Sequence, residues 1–153
     1  MIVMDLITID FQLLDTDIPP YEISRMTRIK PSEALIRGER NKARDLPRQN
    51  IWSLQSQIES DEVSDHWLEL RDRLHGSQDD ICRIAKTGIA RFSIVIKGGN
   101  RIPPIQIPSE MSAFAGYVGA VIEIDHLQAL TYHLPALCRA GVRCRYGPAL
   151  PLL

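Results

Sequence analysis

The hydrophobic patterning of the chain predicts an α+β fold, and three observations carry that reading. Residues 2–14 and 89–97 place apolar side chains at the spacing of β-strands. Val63, Trp67, Leu70 and Leu74 fall at i, i+4, i+7 and i+11, the stripe by which a helix buries one face. Around them the segments follow one another as strand, helix, strand, strand, helix, strand, and then a further helix and strand. That order is the split βαβ pattern of ferredoxin-like domains. The expected architecture is an α+β, ferredoxin-like split βαβ sandwich with an additional C-terminal helix-strand unit, its helices on one face of a mainly antiparallel sheet. Residues 1–126 are expected to form a single α+β domain, and residues 127–153 a C-terminal extension, partly helical and then irregular.

Each element has its own warrant. In residues 2–14 the apolar positions 3, 7, 9, 11 and 13 share one face and 2, 4, 6 and 14 the other. This predicts a central strand covered on both sides. Asp17 is a candidate cap for a short helix over residues 21–28, with proline in its first turn and Tyr21, Ile23 and Met26 inward. Lys30-Pro31 stops that helix, because the residue before proline is driven toward extended geometry. Residues 33–37 predict an edge strand and Gly38 a turn with positive φ. Residues 41–48 have no apolar period and contain Pro47, so they read as an exposed loop. Ile51, Trp52, Ser53 and Leu54 form the next strand.

Ser60 is the expected cap of the main helix, with Asp61 and Glu62 at the positive end of its dipole. His75-Gly76 ends it. Ser77 and Asp80 resemble a capping box for a continuation through Ile81, Ile84 and Ala85, which Gly88 stops. Residues 89–97 alternate Phe92, Ile94 and Ile96 against Arg91, Ser93, Val95 and Lys97, a strand with one face in the core. Gly98-Gly99-Asn100 is a turn, and residues 102–108 an extended, proline-rich connector. Ser109 caps a last helix through Met111, Phe114 and Val118, and residues 120–125 form the closing strand.

Charge is distributed in blocks. Residues 25–48 hold eight basic side chains (Arg25, Arg28, Lys30, Arg37, Arg40, Lys42, Arg44, Arg48) against three acidic ones (Glu33, Glu39, Asp45). Residues 59–80 reverse the balance, with eight acidic side chains against Arg71 and Arg73. A mixed-charge loop can simply keep a sheet edge soluble. It can also steer a partner. The expected partner-binding residues are Arg37, Arg40, Lys42, Arg44 and Arg48, because the helix stripe, the tryptophans and the strand faces are needed for the core, and loops of this length are mostly functional or disordered.

The same stretch carries a family likeness. Glu22-Ile23-Ser24, Ile29-Lys30-Pro31-Ser32, Arg37-Gly38-Glu39 and Asn50-Ile51-Trp52-Ser53-Leu54 occur in that order, and a strand Val121-Ile122-Glu123-Ile124-Asp125 closes the set. Over roughly residues 5–125 this resembles the bacterial family catalogued as domain of unknown function 4279 (DUF4279), whose members are small single domains with an "E-I-T" helix, a "K-P-T" turn, a "K-G" step and a "G-W-x-L" strand. Ser24 and Ser32 stand where threonine is usual, and Asn50-Ile51 where glycine is usual. The family lends no established activity. The resemblance implies an accessory or immunity-type protein that sequesters another protein.

Length and composition bound the rest. With 153 residues, 44% hydrophobic and 24% charged, the chain is long enough for one domain with a full core. A net charge of −1 argues against general adhesion to nucleic acid or membrane. Cys82, Cys138 and Cys144 form no CxxC pair, and Asp5 and Asp10 interrupt the apolar start, so the expected setting is the cytoplasm with reduced thiols. No stretch approaches the 18 apolar residues of a spanning helix.

Candidate chemistry is thin. His66 and His75 lie nine residues apart, on opposite sides of a helix, and His126 and His133 stand far off, so no metal site is expected. Glu123 and Asp125 share a strand face and, with His126, are the only outline of an active site. Ser24, Ser53 and Ser93 lack a nucleophile elbow, and Gly98-Gly99-Asn100 lacks the lysine of a phosphate loop. Cys82, Trp52 and Trp67 read as core.

The expected function is a small, cytosolic, non-enzymatic protein-binding module without cofactors, with self-association as a further outcome. The alternative is a nucleic-acid-binding protein using residues 25–48 and the tail arginines Arg139, Arg143 and Arg145. All three thiols are expected to be free in protein taken from a reducing cytosol. Mass analysis under non-reducing conditions checks this, and an intramolecular disulfide would overturn the compartment assignment.

Overall fold

The structure is a computed structural model that describes residues 6–40, 46–98 and 104–128. Its elements are β1 (Leu6–Leu14), α1 (Pro20–Thr27), β2 (Glu33–Leu35), β3 (Ile51–Gln55), α2 (Val63–Leu74), a 3₁₀ turn (His75–Ser77), α3 (Gln78–Ala85), β4 (Ile89–Gly98), α4 (Ser109–Val118) and β5 (Val121–Gln128). The fold is α+β around one five-stranded mixed sheet in the order β2-β3-β1-β4-β5. The pairs β2–β3, β3–β1 and β1–β4 are antiparallel, and β4–β5 is parallel. β5 runs two residues past position 126, the expected domain limit, and the rest of the expected extension lies outside the described residues.

β1 is central, as its apolar content predicts, but the described elements cover only one of its faces. Ile7, Ile9, Phe11 and Leu13 are buried, and so are Ala90, Phe92, Ile94 and Ile96 beside them on β4. They form one core with Trp52 and Leu54 of β3 and with the inward residues of all four α-helices. The other face of β1 carries half-buried Thr8, Asp10 and Gln12. The expectation of two covered faces rested on apolar residues 2, 4, 6 and 14, which sit at the strand's ends or before it. The middle of that face is polar.

An aromatic cluster organises the core. Phe11 meets Phe92 at 4.9 Å between centroids, and Trp67 meets Phe114 at 5.5 Å and Phe92 at 6.0 Å. These contacts join β1, β4, α2 and α4, and each adds about 1 kcal/mol beyond area burial. The α2 stripe of Val63, Trp67, Leu70 and Leu74 is buried throughout.

Helix ends depart from the capping expectations. α2 begins at Val63, and Ser60 instead donates to Asp65 Oδ2 (2.7 Å) and accepts the Glu62 N–H (3.1 Å). Ser77 donates to the Thr27 carbonyl (2.8 Å), tying the 3₁₀ turn to the end of α1. Asp17 does not cap α1, which starts at Pro20 behind Pro19, and Ser109 is the first residue of α4 rather than its cap. Tyr21 is exposed, whereas Ile23 is fully buried and Met26 packs against the core, so Ile23 and Met26 are inward and Tyr21 is not.

Two glycines are fixed by geometry. A Cβ on Gly88 would lie 2.4 Å from the Leu14 carbonyl oxygen, where the chain passes from α3 into β4. Gly119 takes φ +71 to end α4, a conformation that costs glycine little.

Trp67→Ala should lower unfolding free energy by roughly 3–5 kcal/mol, because it empties the centre of the aromatic cluster. Urea melts check this, and a loss below about 1 kcal/mol would mean that the cluster does not bear on stability.

Candidate functional site

Arg37, Arg40 and Arg48 are exposed on the connection between β2 and β3, at one edge of the sheet. Its base is closed by the Gly38 N–H on the Pro47 carbonyl (3.0 Å) and the Arg37 N–H on Asn50 Oδ1 (2.8 Å). Lys42 and Arg44 lie outside the described residues. The three described arginines thus share one edge and one connection, as the sequence predicts.

The opposite edge is β5. No strand among the described residues pairs with its outer side. Val121 is 60%, Ile124 41% and Leu127 48% exposed there, an unusual apolar content for an open edge. Glu123, Asp125 and His126 are also exposed, but alternation puts His126 on the face opposite the two carboxylates. The outlined Glu123, Asp125 and His126 site is therefore not assembled.

Between the edges lies the polar face of the sheet. Arg91 donates to Gln12 Oε1 (2.7 and 3.0 Å) and to Glu123 Oε2 (3.0 Å), crossing from β1 to β5. Asp10 sits on the central strand between Gln55 and Ser93. Burial, with a smaller contribution from the charge of Glu33, raises its pKa to about 6.

A groove of about 830 Å³ opens on the helical side between α2 and α4. Trp67, Leu74, Ala113, Phe114 and Tyr117 give it apolar walls, and Arg71, Asp72, His75, Gln78 and Glu110 its polar rim. Arg71 reaches Glu110 Oε2 (3.1 Å) across it, and the Tyr117 hydroxyl donates to Asp79 Oδ1 (2.5 Å) beside it. That hydrogen bond pushes the Tyr117 phenol above its ordinary pKa.

The remaining candidates resolve as structure. His66 is buried: its Nε2–H donates to the Ser60 carbonyl (3.0 Å), which leaves Nδ1 to accept from the Ser56 hydroxyl (2.8 Å). His75 is exposed at the start of the 3₁₀ turn. Among the described residues no group of three His, Cys, Asp or Glu could hold a metal ion. Cys82 is a free thiol, half-buried against the core, and Cys138, Cys144, His133 and the tail arginines lie outside the described residues. No helix among the described residues is long and apolar enough to cross a membrane.

The family model described as domain of unknown function (DUF4279) matches residues 5–129. The chain belongs to the DUF4279 family. No curated protein and no solved structure matches it. The residues that carried the DUF4279 likeness hold the scaffold together. The Trp52 indole donates to Ser24 Oγ (3.0 Å), and Ser24 in turn donates to the Pro20 carbonyl (3.2 Å), fastening α1 to β3. Ser32 Oγ accepts the Gln55 N–H (2.9 Å) at the entry to β2. In this DUF4279 chain, then, the motif residues of α1, β2 and β3 point to fold, the closing motif strand Val121 to Asp125 forms most of the β5 edge, and the groove is formed by other positions.

Sequence reasoning missed both of those features. Tyr117, Ala113 and Glu110 lie on the outer side of α4, where periodicity shows only that they are not core. The one available signal was Ile124 and Leu127 in a closing strand rich in charge.

The raised pKa of Asp10 has a definite sign. The folded state holds its proton more tightly than the unfolded chain, so its stabilising contribution is complete below about pH 4 and lost as pH rises through about 6. Asp10→Asn should flatten the stability profile between those limits and raise stability at pH 7 by about 1 kcal/mol, allowing for partial solvent screening. Urea melts at pH 4, 5, 6 and 7 check this; an unchanged slope would show that Asp10 titrates normally.

Proposed function

We propose that this DUF4279 chain is a non-enzymatic protein-binding module, acting in the cytoplasm, that takes an extended segment of a partner protein along the outer side of β5 and thereby sequesters it. The observation that carries the reading is the eight-residue β5, with no strand on its outer side among the described residues and with Val121, Ile124 and Leu127 exposed. Strand addition draws affinity from main-chain hydrogen bonds and specificity from alternate side chains. Glu123 and Asp125 on one face and Ile124 on the other suit a partner strand that alternates basic and apolar residues. Arg37, Arg40 and Arg48, at the far edge, fit a role in electrostatic steering. The antiparallel order β2-β3-β1-β4, with α1 after β1 and α2–α3 after β3, supports a ferredoxin-like split βαβ core to which α4 and β5 are added.

The test needs the partner first, identified by mass spectrometry after capture from the native host. Surface-binding rates are then compared for the native chain, for Ile124→Lys with Leu127→Lys, and for Arg37, Arg40 and Arg48 all replaced by serine. The β5 pair should weaken binding by about tenfold or more, chiefly through faster dissociation. The arginine triple should slow association at low salt, with the effect shrinking as salt is raised. Native affinity in the β5 pair would overturn the edge assignment. Tight binding of labelled oligonucleotides with a steep salt dependence would establish the nucleic-acid alternative instead.

A further inference from the structure

We propose that the chain covers its own β5 edge: Val142, Arg143, Cys144, Arg145 and Tyr146 pair as a further strand along the outer side of β5. These five lie outside the described residues, and two observations at the edge select them. The first is its charge. Glu123 and Asp125 share one face of β5, and Arg91 reaches Glu123 from the β4 side (3.0 Å). The second is the other face. Ile124 lies on the same side as Ile122, which packs against the core, yet Ile124 is 41% exposed, with no strand beyond it among the described residues. The edge therefore suits a strand that is basic on one face and apolar on the other.

Residues 142–146 have that pattern. Arg143 and Arg145 alternate with Val142, Cys144 and Tyr146, and Gly141 and Gly147 bound the run. In either strand direction, setting the two arginines against Glu123 and Asp125 brings Cys144 opposite Ile124. A second copy of β5 fits worse. With Ile124 opposite its own symmetry mate, Glu123 meets Asp125. Moving the axis by one residue sets Glu123 on Glu123 or Asp125 on Asp125. The connection is long enough, because β5 ends at Gln128 and thirteen residues precede Val142. An antiparallel return needs as few as about two residues and a parallel one about a dozen. Tethering also keeps the segment at high effective concentration, so a few ion pairs and main-chain hydrogen bonds suffice to hold it. The tail is thereby a regulator of the partner site, a consequence that rests on the function proposed above. An incoming strand must displace residues 142–146 before it pairs with β5.

The test uses the full chain. In an open edge strand only the alternate amides bonded to the neighbouring strand resist hydrogen exchange. Exchange read by NMR should instead show Ile122 to His126 protected without alternation. Arg143→Glu with Arg145→Glu should speed exchange of the outward-pointing amides by at least about tenfold and leave β1 and β4 unchanged. Alternating protection in the native chain, or an unmoved pattern in the charge-reversed chain, would overturn the proposal. Ile124→Cys, combined with Cys82→Ser and Cys138→Ser, should form a disulfide to Cys144 within one molecule under mild oxidation. Absence of that link would overturn the register, and a link between two molecules would overturn self-coverage. Neither measurement involves a partner, so failure here leaves binding along β5 to its own test. With the captured partner, the charge-reversed chain should bind about tenfold more tightly, because its edge is free more of the time. Native affinity in a variant whose edge has opened would overturn the regulatory role.

Discussion

The packing of Trp67 against Phe92 and Phe114 is the constraint on which the rest of the molecule depends. α2, β4 and α4 are distant in sequence, and Phe11 brings the central strand to the same point. Seating Trp67 fixes how far α2 stands from α4, and that separation leaves the groove. Seating Phe92 fixes which side of β4 faces the helices. Through the parallel register of β4 and β5, it also fixes which side chains of β5 face each way. One packing event therefore sets the geometry of both surfaces considered for function.

The sheet has a directional chemistry that follows from its order. Arginines gather at the β2 side, carboxylates and exposed aliphatic side chains at the β5 side, and Arg91 links Gln12 to Glu123 across the polar face between them. Each edge is managed differently. β2 is short and followed by a charged connection, a familiar protection against unwanted pairing. β5 is long, carries exposed Val121, Ile124 and Leu127 beside the charges of Glu123 and Asp125, and has no strand on its outer side among the described residues. This difference, more than any single residue, motivates the proposal made for β5.

Much of the fold was legible because its signals are local. The alternation in residues 89–97 and the stripe on α2 predict buried residues that are buried, and the element order matches as far as β5 among the described residues. Capping was misread where a local rule met a tertiary competitor. Ser60 and Ser77 carry the right side chain near a helix start, but Asp65 and the Thr27 carbonyl claim their hydroxyls. Tyr21 looked inward on periodicity, yet in this helix of eight residues Ile23 and Met26 face the core and Tyr21 faces solvent. The groove was not legible at all. Arg71 and Glu110 stand 39 positions apart, and nothing in either segment encodes the gap between them. The basic connection was readable, because charge clustering survives folding, whereas the free edge required the strand order.

The position of β1 at the centre of the sheet also shapes how the chain must be made. Its partner β3 follows after one short helix and a connection, but β4, which covers its other edge along the full strand, comes only after α2 and α3. On a ribosome adding about 5–20 residues per second, that interval lasts several seconds. During it, Ile7, Ile9, Phe11 and Leu13 have been synthesised before β4 and α4, which complete the core around them. The apolar row of the central strand thus waits for its longest partner. Yield in the cell would therefore depend on that wait as much as on the stability of the finished fold.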